Sequence, residues 1–216
     1  MRVEDTKLVS RTILRISLYG LIIVGIAELI RLDGMELPEA EFGESSFSEW
    51  AQEISLVVIA IAFFLVGRKF PDKRALITLL VGMSIMGLIR EYNNFFKEYF
   101  FVGAWSSLVL LTAIITAYLV YRQRHTLVPA IVDFIQRPSF GMLIAGFLII
   151  IVFSRLFGLP RLWEPIMGET FIRPVMRAAE EGTELLGYTL LMLGALEYAV
   201  SVFQTRKENI QAVIKA

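Results

Sequence analysis

The chain has 216 residues, of which 56% are hydrophobic and 19% are charged, and it contains no cysteine. Disulfide bonds, thiolate metal sites and a cysteine nucleophile are therefore excluded. The single histidine cannot form a zinc site built from several imidazoles. Because 21 basic residues balance 21 acidic ones, the composition argues against a nucleic-acid-binding protein, which usually carries an excess of positive charge.

Six apolar segments are long enough to cross a membrane. A spanning helix needs about 20 apolar residues, because ~30 Å of hydrocarbon is crossed at ~1.5 Å per residue. The segments cover approximately residues 14–30, 50–66, 75–96, 101–121, 140–157 and 183–203. They fill more than half of the chain, so we expect one integral membrane domain over residues 1–216. Its predicted fold class is all-α, a polytopic bundle of six transmembrane helices.

Basic residues precede the first apolar segment, as they do in a secretory signal peptide. The apolar run contains Glu28, however, and it is followed by Arg31 and Asp33 rather than by a small-residue cleavage site. We therefore interpret the first segment as a retained helix.

The distribution of charge predicts an orientation. If the spans alternate, the N terminus, the second and fourth loops and the C terminus share one side, and that side holds 14 of the 21 basic residues. Lys and Arg are enriched in cytoplasmic loops, so both termini are expected in the cytoplasm. The outer side holds 15 of the 21 acidic residues and all three tryptophans. A short, cysteine-free polytopic chain fits a prokaryotic cytoplasmic membrane.

Ionisable residues recur at one depth near the predicted outer ends of the spans, in the outer third of the hydrocarbon. An ionised side chain there costs at least ~2.5 kcal/mol and usually pairs or lines a wet cavity. Helical spacing places several of these residues on faces with small residues, which favours an inward direction. The predicted ligand-binding residues are Glu53, Arg90, Glu91, Asn94, Arg155, Glu181 and Glu184. Glu197 lies about 100° away from the glutamate face of the last span and is left outside this site.

Two loops have unusual compositions. The fourth loop, residues 123–138, is apolar with few charges and predicts a helix on the cytoplasmic surface. The fifth loop, residues 158–182, contains Pro160, Pro165 and Pro174 among apolar residues. We expect it to lie in the outer leaflet, where it either covers the charged residues or only connects two spans.

These patterns leave three hypotheses for the function. The first is an outward-facing Glu/Arg cavity that binds or transports a polar or zwitterionic small molecule or ion. The second is an enzyme acting on a lipid headgroup, with a divalent cation held by carboxylates; the candidate metal ligands are Glu53, Glu91, Glu180 and Glu184. The third is a non-catalytic accessory subunit that binds another membrane protein, in which Arg–Glu pairs only lock the helices together.

Overall fold

The computed structural model describes residues 3–35 and 46–215, and every regular element within these ranges is helical. The α-helices there are α1 (Val3–Met35), α2 (Phe47–Lys69), α3 (Arg74–Glu91), α4 (Asn93–Tyr99), α5 (Ala104–Arg122), α6 (Leu127–Ile135), α7 (Ser139–Leu148), α8 (Ser154–Phe157), α9 (Pro160–Met167) and α10 (Arg173–Lys215). A π-helical turn, Ile149–Phe153, joins α7 to α8. The predicted all-α class is confirmed for the described residues.

Five helical stretches are long and apolar enough to span a membrane. They are Val9–Met35, Phe47–Lys69, Ala104–Arg122, Ser139–Phe157 and Arg173–Glu208. Each overlaps one of the predicted spans. The remaining predicted span, residues 75–96, is divided between α3 and α4. Helix α3 has 18 residues, of which Arg74, Arg90 and Glu91 at its two ends are charged, so it is shorter than the other five stretches.

The two unusual loops are largely helical. Residues 127–135 of the fourth loop form α6, and its Ala130 and Phe134 are buried. The fifth loop contains α9. It is shorter than the sequence indicates, because α10 begins at Arg173, ten residues before the predicted start of the last span. The Arg-Pro pair at the start of α10 is favourable because proline is tolerated in a first helical turn.

Helix α10 is the centre of the packing, because it contacts α1, α2, α7, α8 and α9. Its residues Leu185, Tyr188, Ala195, Tyr198 and Val202 follow helical spacing and are buried. The main apolar core combines the C-terminal part of this face with residues of α2, α3 and α6. Helix α3 packs against α2 on one side and α5 on the other. The bundle is therefore organised around α10 and extended outward through α2 and α3 to α5.

At one end of the bundle, basic side chains connect the loops, and we call this the basic end. The Nζ atom of Lys73 lies 2.7 Å from Oδ2 of Asp133 in α6. Arg137 donates to both carboxylate oxygens of Asp133 at 3.0 Å. Arg206 of α10 donates to the carbonyl oxygen of Lys69 at 3.1 Å. The basic end therefore joins the turn after α2, helix α6 and the last turns of α10.

At the opposite end, which we call the acid end, the last turn of α1 caps the start of α2. The buried carboxylate of Asp33 accepts the backbone N–H groups of Phe47 at 2.7 Å and Ser48 at 2.8 Å. The first N–H groups of a helix have no partner within the helix, and the positive end of the helix dipole favours a carboxylate. Asp33 thus fixes where α1 ends relative to α2.

Glycines allow α7 and α10 to approach until their backbones touch. A Cβ atom added to Gly146 of α7 would lie 2.7 Å from the carbonyl oxygen of Gly187 and 2.9 Å from the nitrogen of Leu191. A Cβ atom on Gly194 would lie 2.7 Å from Cγ of Leu143. Small residues permit such close helix packing in membranes. The predicted small-residue face of α10 therefore lies against protein.

We expect Gly146→Ala to lower the stability of the protein by about 1–3 kcal/mol, because the added methyl group would force two backbones apart. Gly141→Ala is the matched control on the same helix, since nothing lies within 4 Å of its added Cβ. Alanine favours a helix over glycine by up to ~1 kcal/mol, so the control should be neutral or stabilising. Thermal unfolding in detergent measures both. Equal effects at the two positions would contradict the close contact.

The stability of the basic end should depend on pH. Burial alone would raise the pKa of Asp133, but hydrogen bonds from Arg137 and Lys73 hold it below the ordinary value of 3.8. A carboxyl group with a lower pKa in the folded chain stabilises the fold above its ordinary pKa and loses that contribution as the pH falls through the lowered one. Unfolding at a series of pH values should show a loss of stability below about pH 4 that is smaller in Asp133→Asn. Asp72 is exposed, so the control Asp72→Asn should lose stability with falling pH as the wild type does.

Candidate functional site

Two arginines reach the acid end from the last turns of their helices. Arg90 lies in the last turn of α3, and Arg155 lies in that of the short helix α8. The negative end of a helix dipole favours cations at these positions. The π-helical turn before α8 rotates the following residues relative to a regular helix, because it adds a residue to the turn. Ser154 and Arg155 both contact α10 directly after it.

Both arginines bind the carboxylate of Glu184, which is only 3% exposed. The Nη2 atom of Arg155 forms an ion pair with Oε1 of Glu184. The Nη2 atom of Arg90 lies 3.5 Å from the same oxygen, and Oγ of Ser154 lies 3.3 Å from it. A single buried carboxylate oxygen therefore joins α3, α8 and α10.

Further contacts extend this group on either side. The Nη1 atom of Arg155 lies 3.4 Å from Oε1 of Glu180, one turn before Glu184. The Nη2 atom of Arg90 lies 3.9 Å from Oε1 of Glu91. The hydroxyl group of Tyr188 donates to that same oxygen at 2.6 Å. We define the acid-end cluster as the following residues: Arg90, Glu91, Ser154, Arg155, Glu180, Glu184 and Tyr188.

Glu181 lies beside the cluster but bonds a different helix. The side chain of Gln52 in α2 is 1% exposed. Its Nε2 atom donates to Oε2 of Glu181 at 3.1 Å and to the carbonyl oxygen of Glu181 at 3.5 Å. Ser48, Gln52 and Leu56 lie on the buried face of α2. The polar residue through which α2 contacts α10 here is therefore Gln52.

Glu53 bonds a residue outside the acid-end cluster. Glu53 is one residue past the buried face of α2, and its Oε2 accepts a hydrogen bond of 2.5 Å from the hydroxyl group of Tyr92. Tyr92 is exposed between α3 and α4. Of the predicted set, Arg90, Glu91, Arg155 and Glu184 therefore lie together, and Glu181 beside them is hydrogen-bonded to Gln52 of α2. The side chain of Asn94 lies outside the described residues.

The candidate metal ligands do not gather around one point. Among the His, Asp and Glu side chains that the structure describes, no three form a group that could hold a metal ion. Of the four candidates, Glu91, Glu180 and Glu184 bond arginine or tyrosine groups within the cluster, and Glu53 lies apart. This geometry gives no support to the hypothesis of a divalent-metal enzyme.

The cluster has surfaces through which it could bind a polar ligand. The side chains of Arg90 and Arg155 are 42% and 48% exposed, although both reach the buried Glu184. A guanidinium group has five N–H donors in a fixed plane, so donors that do not bond Glu184 can bind an acceptor such as a carboxylate or phosphate. The surrounding carboxylates can accept hydrogen bonds from an ammonium group. The arrangement is suited to a molecule that carries both kinds of group.

A cavity of about 380 Å³ reaches the cluster from the side of the bundle. Arg90 and Tyr188 line its polar end, and Ser84 and Gly87 of α3 lie along one wall. The rest of the lining is apolar and comes from α2, α3, α7, the π-helical turn and α10, with Phe134 of α6 at the far end. The cavity therefore provides space next to the exposed part of Arg90.

Sequence reasoning missed the uncharged members of this region. Gln52, Ser154 and Tyr188 each bond a predicted glutamate. Two signals were present in the sequence: Tyr188 follows Glu184 by one helical turn, and Gln52 interrupts the apolar face of α2. A prediction based on ionisable residues alone does not include either of these residues. The position of Ser154 depends on the π-helical turn, for which the apolar run Ile149–Phe153 carries no evident pattern.

Glu197 has partners of its own on a different helix. The Nη1 atom of Arg15 in α1 lies 3.0 Å from Oε2 of Glu197, and the hydroxyl group of Tyr19 donates to Oε1. These contacts attach α1 to α10 well away from Glu184. Glu197 therefore remains outside the acid-end cluster, as its helical phase predicts.

Comparisons with models of protein families, with curated proteins and with solved structures found no match to this chain. Its functional interpretation therefore depends on the geometry described above.

Removing both arginines of the cluster should lower the stability of the protein more than removing the glutamate that they share. In the double variant Arg90→Gln, Arg155→Gln, the buried Glu184 would lose both countercharges, and breaking a buried pair in this way costs about 3–5 kcal/mol. Adding Glu184→Gln should restore part of that stability, because the uncompensated charge disappears.

Thermal unfolding of the single, double and triple variants in detergent measures these differences. Arg161→Gln, at an exposed position of α9, is the control and should behave like the wild type. A triple variant that is less stable than the double variant would show that Glu184 is not held by these two arginines.

Proposed function

We propose that the protein is a six-span integral membrane protein that binds or transports a small polar or zwitterionic molecule or ion at the acid-end cluster. The observation that carries this proposal is the buried carboxylate of Glu184, which is shared by two half-exposed arginines and surrounded by further carboxylates.

The course of α3 supports a sixth span. This helix starts beside Lys73 at the basic end and finishes at Glu91 in the acid-end cluster. Its 18 residues cover ~27 Å at the helical rise, which is close to the ~30 Å thickness of the hydrocarbon. Since Lys and Arg favour the cytoplasmic side, the basic end would face the cytoplasm of a prokaryotic cell and the acid end would face outward.

The balance of charge favours a ligand with a cationic group. Within the cluster, Glu91, Glu180 and Glu184 outnumber Arg90 and Arg155. Charges removed from water are costly unless an opposite charge compensates them. An ammonium group or an inorganic cation would complete the compensation. The exposed edges of the arginines would hold an anionic group of the same molecule, so a zwitterion satisfies both sides.

The cavity beside Arg90 offers room for such a ligand. Its volume of about 380 Å³ falls within the range of small-ligand sites, ~300–1,000 Å³. Polar residues at one end and an apolar remainder match the usual composition of these sites. The cavity thus supports binding at the cluster rather than a purely structural set of ion pairs.

The accessory-subunit hypothesis also has one supporting observation. A Cβ atom added to Gly20, Gly25 or Gly34 of α1 would meet nothing within 4 Å. Gly20, Ala27 and Gly34 are spaced by seven residues and are exposed, and small residues allow a second helix to approach closely. A subunit that only uses this face would show no response to small ligands, so the experiment below separates the two hypotheses.

Ligand binding should be visible as thermal stabilisation of the purified protein in detergent. The probes are amino acids, choline, polyamines, and monovalent and divalent cations. Any ligand that binds only the folded state raises the melting temperature, by an amount that grows with concentration. We expect at least one probe to stabilise the wild type and to lose its effect in Glu184→Gln and Arg155→Gln.

The matched control is Glu197→Gln, which also removes an ion pair of α10 but lies outside the cluster. It should respond to the same probe as the wild type does. If no probe stabilises the wild type, or if the response survives in Glu184→Gln, the proposed function is wrong.

A further inference from the structure

A second cavity, of about 530 Å³, lies at the basic end between α2, α3 and α5. Helix α3 packs against both of the other helices and forms the floor, while α2 and α5 form the walls. The apolar lining residues are Phe64, Ile77, Val81, Ile85, Ile115 and Leu119. We call this cavity the basic-end groove.

Glycine contacts hold both walls of the groove against its floor. A Cβ atom on Gly67 of α2 would lie 2.7 Å from Cγ2 of Ile77 in α3. A Cβ atom on Gly82 of α3 would lie 3.0 Å from Cβ of Thr116 in α5. Since these approaches leave no room for larger residues, the groove is a fixed feature of the packing.

The length of the groove corresponds to one leaflet of a membrane. On α3 its lining runs from Arg74 to Ile85, and on α5 it runs from Thr112 to Gln123, the residue directly after that helix. The eleven helical steps along each run of twelve residues cover ~16 Å, which is about half of the ~30 Å hydrocarbon core. An acyl chain that starts at the basic end would therefore be enclosed over the depth of its own leaflet.

The polar end of the groove is positively charged. Arg68, Arg74 and Gln123 line it, and among its described lining residues none is acidic. The Nε atom of Arg74 donates to the carbonyl oxygen of Gly67 at 3.2 Å, which directs this side chain along the end of α2. Asp72, the nearest acidic residue in the sequence, is instead 3.7 Å from Nζ of Lys73.

We propose that the basic-end groove binds an anionic phospholipid of the adjoining leaflet, with its phosphate on Arg68 and Arg74 and one acyl chain between α2 and α5. Basic pockets between membrane helices bind anionic headgroups through charge and hydrogen bonds, and guanidinium groups match the geometry of phosphate. A zwitterionic lipid has an ammonium group that the two arginines would repel. This site is separate from the acid-end cluster and does not depend on the function proposed for it.

Native mass spectrometry of the protein in a neutral sugar detergent tests the proposal by titration with three probes. These are phosphatidylglycerol, phosphatidylcholine, and glycerophosphoglycerol, which has the anionic headgroup without acyl chains. We expect one phosphatidylglycerol to bind at least tenfold more tightly than phosphatidylcholine. The chain-free headgroup should bind much more weakly than either intact lipid, because the groove encloses the chain.

Paired variants assign the binding to the groove. The double variant Arg68→Gln, Arg74→Gln should weaken the binding of phosphatidylglycerol by about 25-fold, since each basic residue near a membrane surface contributes about fivefold. Arg122→Gln is the control, because Arg122 does not line the groove and its guanidinium group lies 6.0 Å from the ring of Tyr118.

A second pair tests the acyl chain. Ile115 lines the groove and is 50% exposed, whereas its neighbour Ile114 does not line it and is 58% exposed. Ile115→Trp should fill the groove and lower the affinity at least fivefold, while Ile114→Trp should leave it unchanged. Equal affinity for the two phospholipids, unchanged binding in the double arginine variant, or equal effects of the two tryptophans would each overturn the proposal.

Discussion

The acid end depends on one buried carboxylate that two arginines must share. Glu184 is 3% exposed, and a charge at such a position is tolerated only with compensation by opposite charge and hydrogen bonds. Arg90 belongs to α3 and Arg155 to α8. The need to compensate the charge of Glu184 therefore also sets where these helices end relative to α10. The same contacts leave each arginine side chain nearly half exposed. A constraint on folding thus creates the polar surface to which we assign ligand binding.

Close backbone packing makes this arrangement possible. Gly146 and Gly187 bring α7 against α10, and the π-helical turn Ile149–Phe153 then presents Ser154 and Arg155 to the centre of the bundle. At the basic end, glycines hold α2, α3 and α5 together in a similar way. The protein therefore uses small residues to form its helix contacts and charged residues to connect the ends. One cavity between helices lies next to the acid-end cluster and another lies beneath Arg68.

The helical class and the five long apolar helices could be predicted from the sequence, because hydrophobic length is a strong signal. The pairing of Arg90, Arg155 and Glu184 could also be predicted, since charged residues at the same depth in a membrane need partners of opposite charge. The role of Gln52 was missed because a neutral residue gives no charge to follow, although it interrupts the apolar face of α2. The division of the third predicted span into α3 and α4 was missed for a related reason. Residues 75–96 are apolar enough as a whole to hide the break at Tyr92.

The most direct test of this account is a solid-state NMR measurement of distances between arginine guanidinium nitrogens and glutamate carboxylate carbons, with the protein in lipid bilayers. Two guanidinium groups within ion-pair distance of one carboxylate, about 4 Å between nitrogen and oxygen, are predicted in the wild type. Both contacts should disappear in Glu184→Gln, and one should disappear in each of Arg90→Gln and Arg155→Gln. A spectrum in which Glu184→Gln removes no such contact would contradict the account.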